Sequence, residues 1–279
     1  MKNLLFALGV IFVALAMPLS SQQPRNESAA KTWPPPRLAD GQPDVQGLWR
    51  PTLNGTQSLT APMTGEAEFN ARITGVPVRN PSRIVDPPAG QIPYQPWAAA
   101  RQAQQARDWE FPTRVEHVDT QNRCLLGGVP RPFYNTRFRI LQTAGQIVFV
   151  WDDYHSYRVI PLDGRPHVGA NLKLWMGDTR GHWDSTTLVT DVTNLNAKFR
   201  LSVVGDFLSE NAHLVERMNF VSADTMNYEV TITDPTVFTR PWTMRVVERR
   251  GPEDEVQEYA CHEGDRTSDT MLIPTDTVR

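Results

Sequence analysis

Long hydrophobic runs are scarce in this chain. The longest reaches from Leu4 to Met17, short of the roughly 20 apolar residues a helix needs to cross a bilayer, and no later stretch comes near it, so no membrane span is expected. A surplus of charge is also lacking. Lys and Arg number 28 against 31 Asp and Glu, a formal net charge of −3, with the signs interspersed and no basic stripe to neutralise phosphates. Nucleic acid is therefore not an expected partner. Cysteine is nearly absent, at two residues. No nucleophile elbow, phosphate-binding P-loop or dinucleotide fingerprint occurs, which leaves hydrolase, kinase and Rossmann readings without support. The histidines His117, His155, His167, His182, His213 and His262 show no compact ligand spacing, so no metal is assigned and no cofactor is named.

What is present begins with a secretory pattern. Lys2, the apolar run and the small residues Ser20 and Ser21 have the order of a signal peptide over residues 1–21, with no cysteine after the run to carry a lipid. The expected location is the periplasm or the medium. In that oxidising setting Cys124 and Cys261 are expected to pair, closing a long loop. Residues 22–120 read as a Pro-rich extension packing on a β domain at 121–265, with a tail at 266–279.

Of the 23 prolines, 14 lie between Pro24 and Pro112. Proline removes a backbone donor and fixes φ, so this stretch is expected to run as extended or turning chain. Trp33, Leu38, Val45, Leu48 and Trp49 are too apolar for a free linker. Pro96 suits a first helical position, the Ala- and Gln-rich stretch from Trp97 to Trp109 a helix, and Phe111-Pro112 its end. A shorter helical turn is expected near Glu66 to Ile73. From about residue 136 the apolar period falls to two. Strands are expected at Phe138–Thr143, Gln146–Trp151, Tyr157–Pro161, Thr187–Thr193, His213–Val221, Thr225–Thr233, Trp242–Arg249 and Val256–Cys261, joined mostly by short turns such as Ala144-Gly145. The fold class is mainly β, an antiparallel meander closing into a lipocalin-like barrel or a sandwich to remove its edges.

Parity along the strand from His213 puts Leu214, Glu216, Met218 and Phe220 on one face. Glu216 sits in an apolar row, where desolvation raises a carboxyl's pKa and suits it to general acid or base work, unless a cross-strand arginine such as Arg245 neutralises it. Glu258 falls in register with Val256 and Ala260 as a second inward acid. His213, at the head of the Glu216 strand, and His262 complete the candidate catalytic set; the proposed disulfide would bring His262 and Glu263 beside His117 and Arg123. Two loops are candidate ligand contacts: IPLDGRPH (Ile160–His167), presenting Arg165 and His167, and WMGDTRGHW (Trp175–Trp183), with Asp178 and Arg180 between glycines. An arginine fork there could hold a carboxylate or phosphate, or the pair could simply fix a long loop. Trp151 and Tyr157, with His155 between them, would supply aromatic faces at a barrel mouth, although core packing accounts for most of the eight tryptophans.

The motifs RLADGQPDVQGLW, IVDPPAGQIPY, RCLLGG, IPLDGRPH, GDTRGHWDSTTLVTD, ENAHLVERM, DPTVFTRPWT and EYACHEG, in this order, resemble a large family of secreted, Trp-rich proteins with many paralogues in soil bacteria. The resemblance covers nearly the whole mature chain. It implies export and a common fold, and it brings no activity or catalytic residue with it. Where that family tends to a Glu-Gly-Asp turn, this chain has Asp184-Ser185-Thr186, which leaves the turn type open.

The functional expectation is a small-molecule site, for an organic compound or carbohydrate fragment, inside or at the mouth of the barrel. In its enzyme version Glu216 and His262 exchange protons while Asp178 and Arg180 orient the ligand. The alternatives are a non-catalytic envelope or partner-binding protein and, third, a metal-assisted hydrolase or lyase. A filled barrel with an exposed apolar patch would favour the first alternative.

Overall fold

A computed structural model describes residues 33–52, 58–60, 82–154, 156–251 and 271–272 of the chain. The chain divides into two units at Lys31/Thr32, and everything below concerns the second. Among the described residues its strands are β1 (Gly47–Pro51), β2 (Ile84–Asp86), β3 (Phe138–Thr143), β4 (Gln146–Trp151), β5 (Tyr157–Pro161), β6 (Asp178–Asp184), β7 (Thr187–Thr193), β8 (His213–Ser222), β9 (Thr225–Thr233) and β10 (Trp242–Arg250), and its α-helices are α1 (Pro96–Glu110) and α2 (Pro132–Asn135). All pairings between these strands are antiparallel, in the order β5-β4-β3-β1-β10-β9-β8-β7-β6, with β2 on β10 beside that path. The sheet is a nearly closed barrel, as the meander pattern predicts.

Two consecutive runs, β3 to β5 and β6 to β10, make up most of the wall. They are joined by β1, which pairs with β3 on one side and β10 on the other. The proline-rich part is thus not all irregular. Between Pro43 and Pro51 every residue keeps its backbone donor, Leu48 and Trp49 are buried, and Pro51 falls at the strand's last position, where a missing donor costs least. The helix expected after Pro96 is α1, ending at the Phe111 cap. The Glu66–Ile73 turn and the Val256–Cys261 strand lie outside the described residues.

The two end strands of this order, β5 and β6, lie against one another without a hydrogen-bonded ladder among the described residues. Gly181 of β6 permits the approach, since a Cβ there would stand 2.7 Å from Ile160 Cγ2 of β5 and 3.0 Å from Leu162 Cδ2. Aromatic side chains pack in the interior. From α2, Phe133 enters the barrel and stacks on Tyr228 with ring centroids 4.0 Å apart, and it meets Phe138, Phe149 and Trp151 edge-on. Such pairs are worth about 0.5–1.5 kcal/mol each beyond the area they bury, so this plug helps fix β4 and β9 relative to one another.

Candidate functional site

Three polar constellations stand out, and strand alternation decides which face each occupies. Along β8, Leu214, Glu216, Met218 and Phe220 are buried while His213, Val215, Arg217 and Asn219 point outward. Glu216 is 0% exposed. Its cation is Arg158 of β5, whose Nη1 lies 2.8 Å from Oε2 and 3.1 Å from Oε1. Tyr228 donates to Oε1 at 2.7 Å and Thr190 to Oε2 at 2.6 Å. Arg245, the partner suggested by the sequence, faces outward and pairs with Glu229 instead. Both oxygens of Glu216 are thus held by buried partners on β5, β7 and β9.

The second constellation is on the outside of the barrel. His167 sets one ring nitrogen 2.7 Å from Asp178 Oδ2 and the other 2.8 Å from Asp191 Oδ1, and His213 reaches Asp191 Oδ2 at 2.6 Å. Arg180 donates to Asp178 at 2.7 Å and to the carbonyls of Arg165, Pro166 and Thr179. Burial would raise the Asp178 carboxyl, but hydrogen bonds from the Val168 N–H, His167 and Arg180 outweigh it and hold the group below the usual carboxylate range. Four residues proposed from sequence, His167, Asp178, Arg180 and His213, therefore do meet, with Asp191 as the member that sequence reasoning missed. Asp178 and Arg180 sit on β6, not on the loop expected there, and with His213 of β8 they fasten the β5–β6 connection, which carries His167, to the sheet. Asn194 adds to this by donating to the carbonyls of Gly169 and Leu172.

The combination drawn from sequence, with Glu216 and Arg180 acting on one ligand, is corrected by the same alternation. Thr190, facing inward, pairs with Glu216, while the adjacent Asp191, facing outward, pairs with Arg180. The wall of the barrel lies between them. Trp151 is likewise buried and Tyr157 is 64% exposed on the other face, so they do not flank one ligand. Arg165 pairs with Asp163 at the surface. His117 is buried in a short 3-10 turn. Cys124 is described, at φ 60°, whereas His155, Glu258, Cys261, His262 and Glu263 lie outside the described residues.

The third constellation is an open cleft at one end of the barrel, about 570 Å³ in volume, lined by Arg50, Pro51, Thr52, Thr136, Arg137, Asp152 and Arg249. That volume is in the usual range for small-ligand pockets. Arg50 and Arg249 are cross-strand partners in the β1–β10 ladder, and like charges directly opposite repel. The Arg50 side chain makes no hydrogen bond or ion pair among the described residues. Arg249 is held on one side by Thr225, and Arg137 gives its Nε to Asp152. A smaller cleft of about 350 Å³ also carries two arginines, Arg139 and Arg250. There Arg250 is engaged by the Gln46 and Ala223 carbonyls and lies 4.6 Å over the Trp49 ring. No local pattern announced the larger cleft, because its arginines come from three separate strand ends that only the long-range register brings together. No protein-family model, curated protein or solved structure matches this chain.

Proposed function

We propose that this protein is an exported, non-catalytic binder of a small organic anion, such as an organic acid or an acidic carbohydrate fragment, held in the cleft between Arg50, Arg137 and Arg249. The observation that carries this reading is the imbalance of the cleft: among the described residues three guanidinium groups face one carboxylate, and the Arg50 side chain has no partner. Arginine forks are suited to planar and tetrahedral oxyanions. The interior is the less favourable place, since Phe133, Trp151 and Tyr228 fill it around a satisfied Glu216. A thermal-shift screen of small acids tests the proposal. A ligand at 100 times its Kd adds about 2.7 kcal/mol of stability, and the gain should shrink in Arg50→Gln and in Arg249→Gln. If no acid shifts the wild type, or if both variants respond like it, the reading fails.

Export and a Cys124–Cys261 disulfide belong to the same proposal; an intact mass of the unreduced secreted protein two hydrogens below the dithiol value is the expected result. The rival reading, a partner-binding protein, has one observation in its favour. Leu141, Val148 and Val159 form an outward apolar row across β3, β4 and β5, with Leu141 and Val159 42% and 41% exposed and Tyr157 beside them. Sedimentation of the wild type against Val159→Lys separates the readings: concentration-dependent association that Val159→Lys abolishes would favour the rival.

A further inference from the structure

We infer that the cleft of Arg50, Arg137 and Arg249 is built for a phosphomonoester dianion, an inference that rests on the anion-binding reading above and names its ligand class. Among the described residues three guanidinium groups and one carboxylate line the site, a balance that two negative charges meet and one does not. The number of forks points the same way. A single carboxylate has two oxygens and is satisfied by one bidentate arginine. Here Arg137 spends Nε on Asp152 and Arg249 spends Nη1 on Thr225, yet both retain further N–H donors with no partner among the described residues, and Arg50 retains all of its own. A terminal phosphate offers three oxygens that can be approached from three sides, as the ends of β1 and β10 and the entry to β3 approach this cleft. Arg50 and Arg249 stand opposite one another in the ladder, so a doubly charged group between them removes a repulsion that the unliganded sheet carries.

The test is calorimetric titration of the purified secreted protein with glycerol phosphate, inorganic sulfate, malonate and acetate, at pH 8 and pH 5. Glycerol phosphate at pH 8 is expected to bind at least roughly tenfold more tightly than acetate, and sulfate to share that advantage. The second phosphate proton returns near pH 6, so the phosphate affinity should fall by roughly tenfold at pH 5. Sulfate remains a dianion over this range and should keep its affinity. Asp152 lines the cleft, Asp153 follows it and Glu248 stands opposite Pro51 in the ladder; these acids act alike on either ligand, which makes sulfate the control for them. Arg50→Gln should weaken glycerol phosphate by roughly 10- to 100-fold with an unchanged melting temperature, and Arg50→Lys should restore part of the loss. Acetate or malonate binding as tightly as glycerol phosphate, with all three lost in Arg50→Gln, would overturn the phosphomonoester and leave the anion site standing. Binding of none of the four, or binding untouched by Arg50→Gln, would overturn both.

Discussion

Glu216 and Arg158 form the buried ion pair on which the β5 end of the barrel depends, and the pair can be taken apart one charge at a time. Arg158→Met leaves a carboxylate with 0% exposure and only the hydroxyls of Tyr228 and Thr190 for company. Glu216→Gln strands the guanidinium instead, whose Nε and Nη2 already lack partners. Removing one member of a buried pair typically costs about 3–5 kcal/mol, because the remaining charge is neither solvated nor compensated. The combined variant Arg158→Met with Glu216→Gln removes both charges, and the amide can still accept from Tyr228 and donate to Thr190. It should therefore lose less than the two single losses added, by about 2 kcal/mol or more, and should be no worse than either single variant. Urea unfolding followed by tryptophan fluorescence reports this directly, since Trp49, Trp151 and Trp242 are buried. Single losses under about 1 kcal/mol, or strictly additive ones, would refute the view that Glu216 is a structural charge. The same two single variants should leave anion binding at the cleft unchanged, because their residues lie within the wall and not at its end.

Two further outcomes are expected. Glu248 is buried, with both carboxyl oxygens unpartnered; burial pushes its carboxyl well above the usual carboxylate value of 4.5, against a smaller pull downward from Arg83. A folded value above the unfolded one means that its contribution is fully present below about pH 4.5 and is lost as pH rises toward the folded value, at about 1.4 kcal/mol per pH unit. The stability of Glu248→Gln relative to wild type should therefore increase from pH 5 to pH 7, and parallel curves in urea titrations at the two pH values would sink the assignment. At the β6–β7 turn, Ser185 sits at φ 57°, a left-handed conformation costing a non-glycine residue about 1–2 kcal/mol, so Ser185→Gly should stabilise by about 0.5–1 kcal/mol after the added freedom of the unfolded chain is subtracted. A lower melting temperature would contradict it.

Much of the wall was legible because alternation is local. The row Leu214, Glu216, Met218 and Phe220 declares its face within eight residues, and the turn Ala144-Gly145 declares the β3–β4 hairpin through a glycine at φ 73°. The turn type at Ser185, left open by the sequence, is a left-handed one, at φ 57°. β6 was not read as a strand. Its sequence, DTRGHWD, carries Gly and three charged residues, and only the seven-residue ladder with β7 makes it one. β1 was hidden in the same way by the prolines around it, although it joins the two halves of the barrel.

The candidate site was less legible for a reason that also explains its location. A catalytic reading of Glu216 required Asp178 and Arg180 to share its side of the sheet, yet alternation sends Asp191, the cross-strand partner of Arg180, outward and Thr190, that of Glu216, inward from adjacent positions. Residues that chemistry would combine are thereby separated by the thickness of one sheet. Within the barrel, Phe133 of α2 packs on Tyr228 directly beside the carboxylate that Tyr228 serves. The proposed anion cleft lies instead where β1 and β3 end beside β10. Arg50, Arg137 and Arg249 are at strand ends of that kind, and each belongs to a different part of the sequence, so their meeting is a property of register alone.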